Sequence, residues 1–228
     1  MTNVLVIAAH PDDEVLGCGG TIAGHVENGD SVSVLILGEG VTSRVEVQGS
    51  SCIDERLKEL RSAAHLANQI LGVSRVELFN YPDNKLDTIP QLELIQTIEE
   101  KITYYLPETV YTHHIGDLNR DHRSVHNAVV TACRPTPNQS VRRLLSFEIA
   151  SSTDWQTAGS SIAFEPNWFV DISSQLEKKT EALEAYSCEM RSWPHARSIE
   201  SLNHLARWRG ATVGFSAAEA FMLLRALN

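Results

Sequence analysis

Cysteine is scarce in this chain of 228 residues. The four cysteines lie far apart and include no CxxC pair, so the sequence offers neither a disulfide framework nor a cysteine-based zinc site. They are Cys18, Cys52, Cys133 and Cys188. We therefore expect reduced thiols, as in a cytoplasmic protein.

Long apolar runs are also missing. No stretch approaches the roughly 18 apolar residues that span a bilayer. The first apolar segment, residues 4–9, has no basic region before it of the kind that begins a secretory signal. The sequence predicts no membrane span and a cytoplasmic location.

Positive charge is in deficit, with a formal net charge of −10. This charge opposes nonspecific binding to nucleic acid and to anionic membranes, although a small basic pocket can still hold an anionic substrate. A small-molecule partner is the better expectation. The length suits one substantial core, so we predict a single domain over residues 1–228.

Strand and helix patterns alternate along the chain. Residues 4–9 form a continuous β-prone run, which is typical of a strand buried on both faces. The alternation predicts an α/β fold of the doubly wound, Rossmann-like type, with a mostly parallel sheet and helices on both faces. Strands are predicted at residues 4–9, 31–38, 75–81, 108–113, 144–150 and 168–172, helices at 16–28, 54–71, 90–105, 122–133, 174–190 and 198–209, and irregular segments at 40–53 and 151–167.

A cluster of acidic residues follows the first strand directly. His10-Pro11-Asp12-Asp13-Glu14 stands where doubly wound sheets bind ligands, and its three carboxylates need a cation or hydrogen-bond donors nearby. Zinc accepts imidazole and carboxylate ligands, so His10 and Asp13 are candidate ligands and Asp12 a candidate base. The alternative is that an aspartate caps the following helix. Gly17, Gly19 and Gly20 do not fit the dinucleotide-binding pattern, which disfavours a dehydrogenase.

A second polar cluster, DLNRDHRSVH, begins at Asp117 and follows the strand that ends at residue 113. It falls on the same edge of the sheet and can therefore meet the first cluster. His122 and His126 are four residues apart on one helical face, which suits metal ligands but also arises by accident.

Together these residues resemble the LmbE-like/PIG-L family of metal-dependent N-deacetylases. The resemblance rests on AHPDDEVLGCGGTIA at residues 9–23, ERLKELRSAAHLANQILGV at 55–73 and DLNRDHRSVH, and covers at least residues 1–135. It implies that His10, Asp13 and His122 bind Zn²⁺, with Fe²⁺ as the alternative metal, and that Asp12 is the general base. It also implies a homo-oligomer, a trimer or a hexamer.

Other roles follow from the same resemblance. Asp121 is expected to orient a metal ligand, and His126 to lie beside the ligands or to replace one. Arg56 matches an arginine that holds the sugar substituent, and Asp83 an aspartate that contacts sugar hydroxyls. A solvated helix residue and a simple turn are the alternative interpretations of these two.

One position departs from the family pattern. Many relatives have a histidine three residues before the metal histidine, whereas this chain has Asn119. Asparagine can donate a hydrogen bond to an oxyanion but cannot deliver a proton at neutral pH. Either Asp12 returns the proton that it took, or another group does so. His195 in the irregular stretch WPHARS is one candidate, and the remaining candidates are His113, His114 and His126.

The resulting hypothesis is a zinc-dependent hydrolase that removes the N-acetyl group of an amino sugar or sugar conjugate. One alternative is a metal amidase of the same fold acting on another N-acyl small molecule, such as an antibiotic or thiol precursor. The other is a non-catalytic module that holds magnesium or calcium.

Overall fold

Strands and helices alternate along most of the chain. The computed structural model describes residues 1–44 and 50–228. The strands in these ranges are β1 (Asn3–Ala8), β2 (Ser31–Gly38), β3 (Arg75–Tyr81), β4 (Thr109–His113), β5 (Arg143–Phe147), β6 (Trp168–Asp171) and β7 (Ala218–Ala226). The helices are α1 (Asp13–Glu27), α2 (Ser50–Leu71), α3 (Gln91–Tyr105), α4 (Arg120–Ala132), α5 (Leu176–Ala185) and α6 (Ile199–Ala211).

The strands of the described chain form one sheet in the order β3-β2-β1-β4-β5-β7-β6. The pairs from β3 to β5 are parallel, and β7, which pairs antiparallel with β5 and with β6, is the one described strand that runs opposite to the others. The order of connection reverses between β1 and β4, which creates a crevice at the carboxyl ends of these two strands. The predicted doubly wound, mostly parallel fold is confirmed.

Apolar side chains cover both faces of the sheet. On β1, Val4 and Val6 join a core with residues of α1, α2 and α5, whereas Leu5 and Ile7 join a second core with residues of α3 and α4. Alternate residues of a strand point to opposite faces, so a strand that is apolar throughout needs helices on both sides. The prediction of helices on both faces is therefore confirmed.

The last strand, β7, lies where the sequence predicts no element. Its sequence, AEAFMLLRA, is rich in alanine, leucine, methionine and glutamate, which favour helices. Pairing with β5 on one side and β6 on the other overrides this local preference. β7 also contributes Glu219 to the interior, where its side chain contacts α1 and α5.

Several boundaries differ from those predicted. β5 ends at Phe147 rather than at residue 150, and α5 covers Leu176–Ala185 rather than 174–190. Within the predicted irregular segment 40–53, a 3-10 turn forms at Thr42–Arg44 and α2 begins at Ser50, while residues 45–49 lie outside the described residues. Residues 151–167 contain no helix or strand, as predicted. No helix in the described ranges is long and apolar enough to cross a membrane.

Two glycines of α1 provide a test of this packing. A Cβ atom on Gly17 would lie 2.4 Å from the Phe147 ring, whereas one on Gly24 would meet nothing within 4 Å. We expect Gly17→Ala to lower the free energy of unfolding by about 1–3 kcal/mol through overpacking. Gly24→Ala should raise it by up to about 1 kcal/mol, because alanine favours the helix. Denaturant unfolding of both variants checks this, and equal effects would contradict the packing.

Candidate active site

The two polar clusters meet in the crevice between β1 and β4. The first follows β1 directly, and the second lies between β4 and the first turns of α4. Because neighbouring parallel strands end at the same edge of the sheet, residues about a hundred positions apart become adjacent. The prediction that the two clusters meet at this edge of the sheet therefore agrees with the structure.

Three side chains converge at the centre of this crevice. Single ligand atoms from His10, Asp13 and His122 lie within 4.8 Å of one another. Oδ2 of Asp13 is 3.4 Å from Nδ1 of His10 and 3.2 Å from Nε2 of His122. Asp13 and His122 are buried, and His10 is 9 % exposed, so the cluster reaches solvent on the side of His10.

The other nitrogen of each of these imidazoles faces carboxylates. Nε2 of His10 lies 3.0 Å from Asp121 and 3.2 Å from Asp83, while Nδ1 of His122 lies 3.2 Å from Asp117. Asp121 in turn accepts a hydrogen bond from the backbone of Leu86. A carboxylate behind a ring nitrogen fixes the orientation of the ring and its tautomer.

Charge in the cluster favours a cation. Burial opposes a charge on His10, but hydrogen bonds to Asp121 and Asp13 and the nearby negative charge raise its pKa to about 10. In His122, the charges of Asp13 and Asp117 likewise outweigh burial and raise the pKa to about 9. Burial raises the pKa of Asp13, but His122 and His10 lower it well below its usual range.

This donor set fits zinc. Two imidazole nitrogens and one carboxylate oxygen are common zinc ligands, and a three-residue set leaves a coordination position for water or substrate. In the metal-free protein, protons on the two imidazoles supply positive charge. A bound divalent ion would displace these protons and supply the charge instead. His10, Asp13 and His122 can therefore hold a metal, and their chemistry also permits Fe²⁺.

Asp12 lies beside this cluster in an unusual backbone conformation. It precedes α1 with φ 99° and ψ −29°, in the left-handed region, which costs free energy for a residue other than glycine. Its carboxylate accepts a hydrogen bond from Nη1 of Arg197 at 2.9 Å, and its backbone N–H donates to Glu14 at 3.2 Å. Burial raises the pKa of Asp12 to about 8, although Arg197 acts in the opposite direction.

Glu14 connects the Asp12 turn to two other helices. Its buried carboxylate accepts hydrogen bonds from Asn68 of α2 at 2.8 Å and from the hydroxyl of Tyr186, just after α5, at 2.7 Å. Burial raises the pKa of Glu14 to about 7, against these hydrogen bonds. Glu14 thus lies behind the crevice and holds the backbone of Asp12.

Arg197 is a site residue that the sequence analysis missed. Within the stretch WPHARS, that analysis selected His195, whose Nδ1 accepts a hydrogen bond from the backbone of Arg197 and whose ring contacts Trp155 edge-on. The same turn brings the guanidinium of Arg197 to Asp12. The carboxylates of the first cluster require a cation or hydrogen-bond donors nearby, but nothing in the sequence singles out Arg197 as the partner of Asp12.

Asn119 has a structural partner that the sequence analysis did not foresee. Its side-chain oxygen accepts from the backbone N–H of Asp121 and so caps α4, the helix that carries His122. Its amide nitrogen donates to Asn84 at 3.3 Å. A role in stabilising an oxyanion stays a prediction.

The remaining histidines of this edge bind backbone groups. Nε2 of His113 accepts from the backbone N–H of Ala9 at 2.8 Å, and burial together with the charge of His122 lowers the pKa of His113 well below its usual range. His126 lies 2.7 Å from the carbonyl of His113 through Nδ1, and Nε2 of His114 lies 3.0 Å from the carbonyl of Ile162. These contacts join the end of β4 to the residue after β1, to α4 and to the segment before β6.

The two predicted substrate-binding residues differ in exposure. Arg56 is exposed and lines a cleft of about 80 Å³ with Glu59, Cys188 and Glu189. Gly40, which also lines this cleft, lies against Pro11, so the cleft lies close to Asp12. Asp83 is buried beside His10, so contact between its carboxylate and a sugar stays a prediction.

Comparison with known proteins identifies the family. The model of GlcNAc-PI de-N-acetylases, PIG-L, matches residues 5–133, more than half of the chain. The chain belongs to the PIG-L family. The matched residues include both polar clusters, and the expected family membership is confirmed.

Two curated relatives support the assignment to PIG-L. An uncharacterised deacetylase, YaiS, of Escherichia coli is 28 % identical over 177 residues, which cover 75 % of this chain and 83 % of the relative. The diacetylchitobiose deacetylase of Thermococcus kodakarensis is 28 % identical over 191 residues, which cover 82 % and 69 %. The chain is therefore a hydrolytic enzyme of a deacetylase family.

The fold of this PIG-L protein is shared by an enzyme with a different reaction. The 4-carboxy-2-hydroxymuconate hydratase of Pseudomonas putida superimposes with a TM-score of 0.78 at 23 % identity, covering 100 % of this chain and 98 % of the hydratase. The fold alone therefore does not determine the reaction, and the function has to be argued from the side chains of the site.

The choice between the two histidines of α4 can be tested with zinc. We expect His122→Ala to lose stoichiometric zinc binding, because one of three converging ligand atoms is removed. His126→Ala is the matched control on the same helix and should retain zinc, since Nδ1 of His126 faces a backbone carbonyl. Titration against a chromophoric chelator measures both. Loss of zinc only from the His126 variant would contradict the predicted ligand set.

Proposed function

We propose that this PIG-L enzyme is a zinc-dependent N-deacetylase of an amino sugar or sugar conjugate, which yields acetate and a free amine. The observation that carries the proposal is the convergence of His10, Asp13 and His122 beside a carboxylate, Asp12, that is held by Arg197. Relatives named as deacetylases, one of them acting on diacetylchitobiose, support the substrate class.

The roles of the residues follow from their positions. His10, Asp13 and His122 would hold the metal, which supplies a Lewis acid that lowers the pKa of water and polarises the amide carbonyl. Asp12, the buried carboxylate beside this cluster, takes the proton of the attacking water. The backbone hydrogen bond to Glu14 and the ion pair with Arg197 keep this carboxylate in place.

The proton then has to reach the leaving amine. Hydrolysis breaks the C–N bond, adds the water oxygen to the acyl carbon and returns one proton to nitrogen. Asp12 can carry that proton, because a single carboxylate acts first as base and then as acid. Asn119 would donate a hydrogen bond to the oxyanion, and His195 is the alternative proton donor.

The cleft next to Asp12 would hold the sugar. Arg56 lines it and carries a charged group that can donate to sugar oxygens. Glu59 and Glu189 contribute acceptors for hydroxyl groups on the same surface. Such a mixture of donors and acceptors suits a polar, hydroxylated substrate better than an apolar one.

The role of Asp12 is tested by Asp12→Asn. The amide keeps the shape of the side chain but cannot take a proton, so kcat should fall by about 10²- to 10⁴-fold while zinc binding is kept. Asp87→Asn, on a half-exposed surface aspartate paired with Arg120, is the control and should retain full activity. Substantial turnover by the Asp12 variant would contradict its role as the base.

The substrate class is tested by acetate release from N-acetylglucosamine, from diacetylchitobiose and from a nucleotide-linked N-acetyl sugar, with zinc added. We expect release from at least one of them, and a higher kcat/KM for the preferred conjugate. The absence of release from all three, with zinc bound, would contradict the amino-sugar assignment. It would then favour another N-acyl small molecule, such as an antibiotic or thiol precursor.

A further inference from the structure

Helix α1 is interrupted just after the active site. Cys18 has φ −150° and ψ 26°, which is not helical, and it divides the helix into a first segment, residues 13–17, and a second segment, residues 19–27. In an unbroken helix the N–H of Gly20 would donate to the carbonyl of Leu16, four residues earlier. Here both of these groups have side-chain partners from outside the helix.

These partners are the two members of a buried ion pair. Nζ of Lys179, from α5, donates to the carbonyl of Leu16 at 2.9 Å and to Oε1 of Glu219, from β7, at 2.6 Å. The same Oε1 accepts from the N–H of Gly20 at 2.9 Å, and Oε2 accepts from Thr21 at 2.6 Å. The chain of contacts from Leu16 through the two side chains to Gly20 thus bridges the break.

This bridge is unusual because both of its charged side chains are buried. The side chains of Lys179 and Glu219 are only 7 % and 4 % exposed. Removing two charges from water is costly, and apolar residues of similar size are often as stable as a buried ion pair. An apolar pair, however, cannot form hydrogen bonds with the carbonyl before the break and the two N–H groups after it.

The first segment contains Asp13, one of the three proposed metal ligands. With five residues it is little more than one helical turn, so its direction is fixed by what holds its two ends. At its start, Glu14 accepts the backbone N–H of Asp12. Near its end, Lys179 holds the carbonyl of Leu16. Asp13 lies in the first turn, and its distance to His122 depends on this direction.

We propose that Lys179 and Glu219 are positioning residues, whose ion pair keeps α1 broken at Cys18 and so directs Asp12 and Asp13 towards His122. Without the pair, the N–H of Gly20 and the carbonyl of Leu16 would bond to each other, and the helix would straighten. For its kinetic readout the inference rests on the proposed deacetylase function. Its zinc readout rests only on the proposed metal site at His10, Asp13 and His122.

The test is the double variant Lys179→Met/Glu219→Leu, which removes both charges and leaves no single buried charge behind. We expect zinc affinity and kcat each to fall at least tenfold, with KM changing less than threefold, because the cleft at Arg56 is untouched. A role in stability alone would change the unfolding midpoint and leave the zinc affinity and kcat of the folded enzyme unchanged.

The matched control is Lys178→Met/Glu27→Gln. Lys178 is the neighbour of Lys179 on α5, and it pairs with Glu27 at 3.4 Å at the surface, away from the break. This variant should retain the zinc affinity and kcat of the unaltered enzyme. A folded Lys179→Met/Glu219→Leu protein that behaves like the control would overturn the inference.

A second variant applies if the double variant does not fold. Glu219→Gln keeps the size of the side chain and one acceptor oxygen, but it cannot serve Gly20, Thr21 and Lys179 together. Zinc affinity and kcat should each fall at least threefold, and unchanged values in the folded protein would overturn the inference. If the unaltered enzyme binds zinc but releases no acetate, the proposed function fails, and the zinc titrations still test the bridge.

Discussion

The burial of carboxylates at one edge of the sheet is the constraint on which the rest of the site depends. A buried carboxylate is unfavourable unless a cation or hydrogen-bond donors compensate its charge. Six of them are less than 3 % exposed there: Asp12, Asp13, Glu14, Asp83, Asp117 and Asp121. Elements from the whole chain, including α2, β4, the end of α5 and the loops after β3 and β5, supply the groups that balance them.

The groups that balance these carboxylates differ. The difference distinguishes the carboxylates with a structural role from those with a chemical role. Glu14 binds fixed donors, namely an amide and a phenol, whereas Asp117 binds two hydroxyl groups and also faces the His122 ring. Asp13 has imidazoles instead, and their raised pKa values indicate a place where positive charge is required. Asp12 faces a guanidinium, which cannot lose its proton, so any proton exchanged there belongs to Asp12 itself.

Local sequence patterns predicted the parallel core of the sheet, because β1 and most of β2 are runs of apolar, β-prone residues and strand patterns alternate with helical ones. They also placed both clusters at one edge, since that follows from strand direction alone. The patterns failed at β7, whose strand conformation comes from pairing with β5 and β6 and not from its own residues. They missed Arg197, Tyr186 and Glu219 for the same reason. Arg197 and Tyr186 reach the first cluster, and Glu219 reaches Gly20 of α1, from more than 170 positions away, and only the packing of α5, β7 and the turn before α6 brings them there.

The central claim is that the charge of this edge is arranged around one metal ion. Crystals grown with zinc and measured on both sides of the zinc absorption edge test it most directly. The account predicts one strong anomalous peak in contact with Asp13, His10 and His122, with Asp12 close by and not a ligand. A peak at Asp83 and Asp121 without Asp13, or no peak at this edge of the sheet, would contradict it.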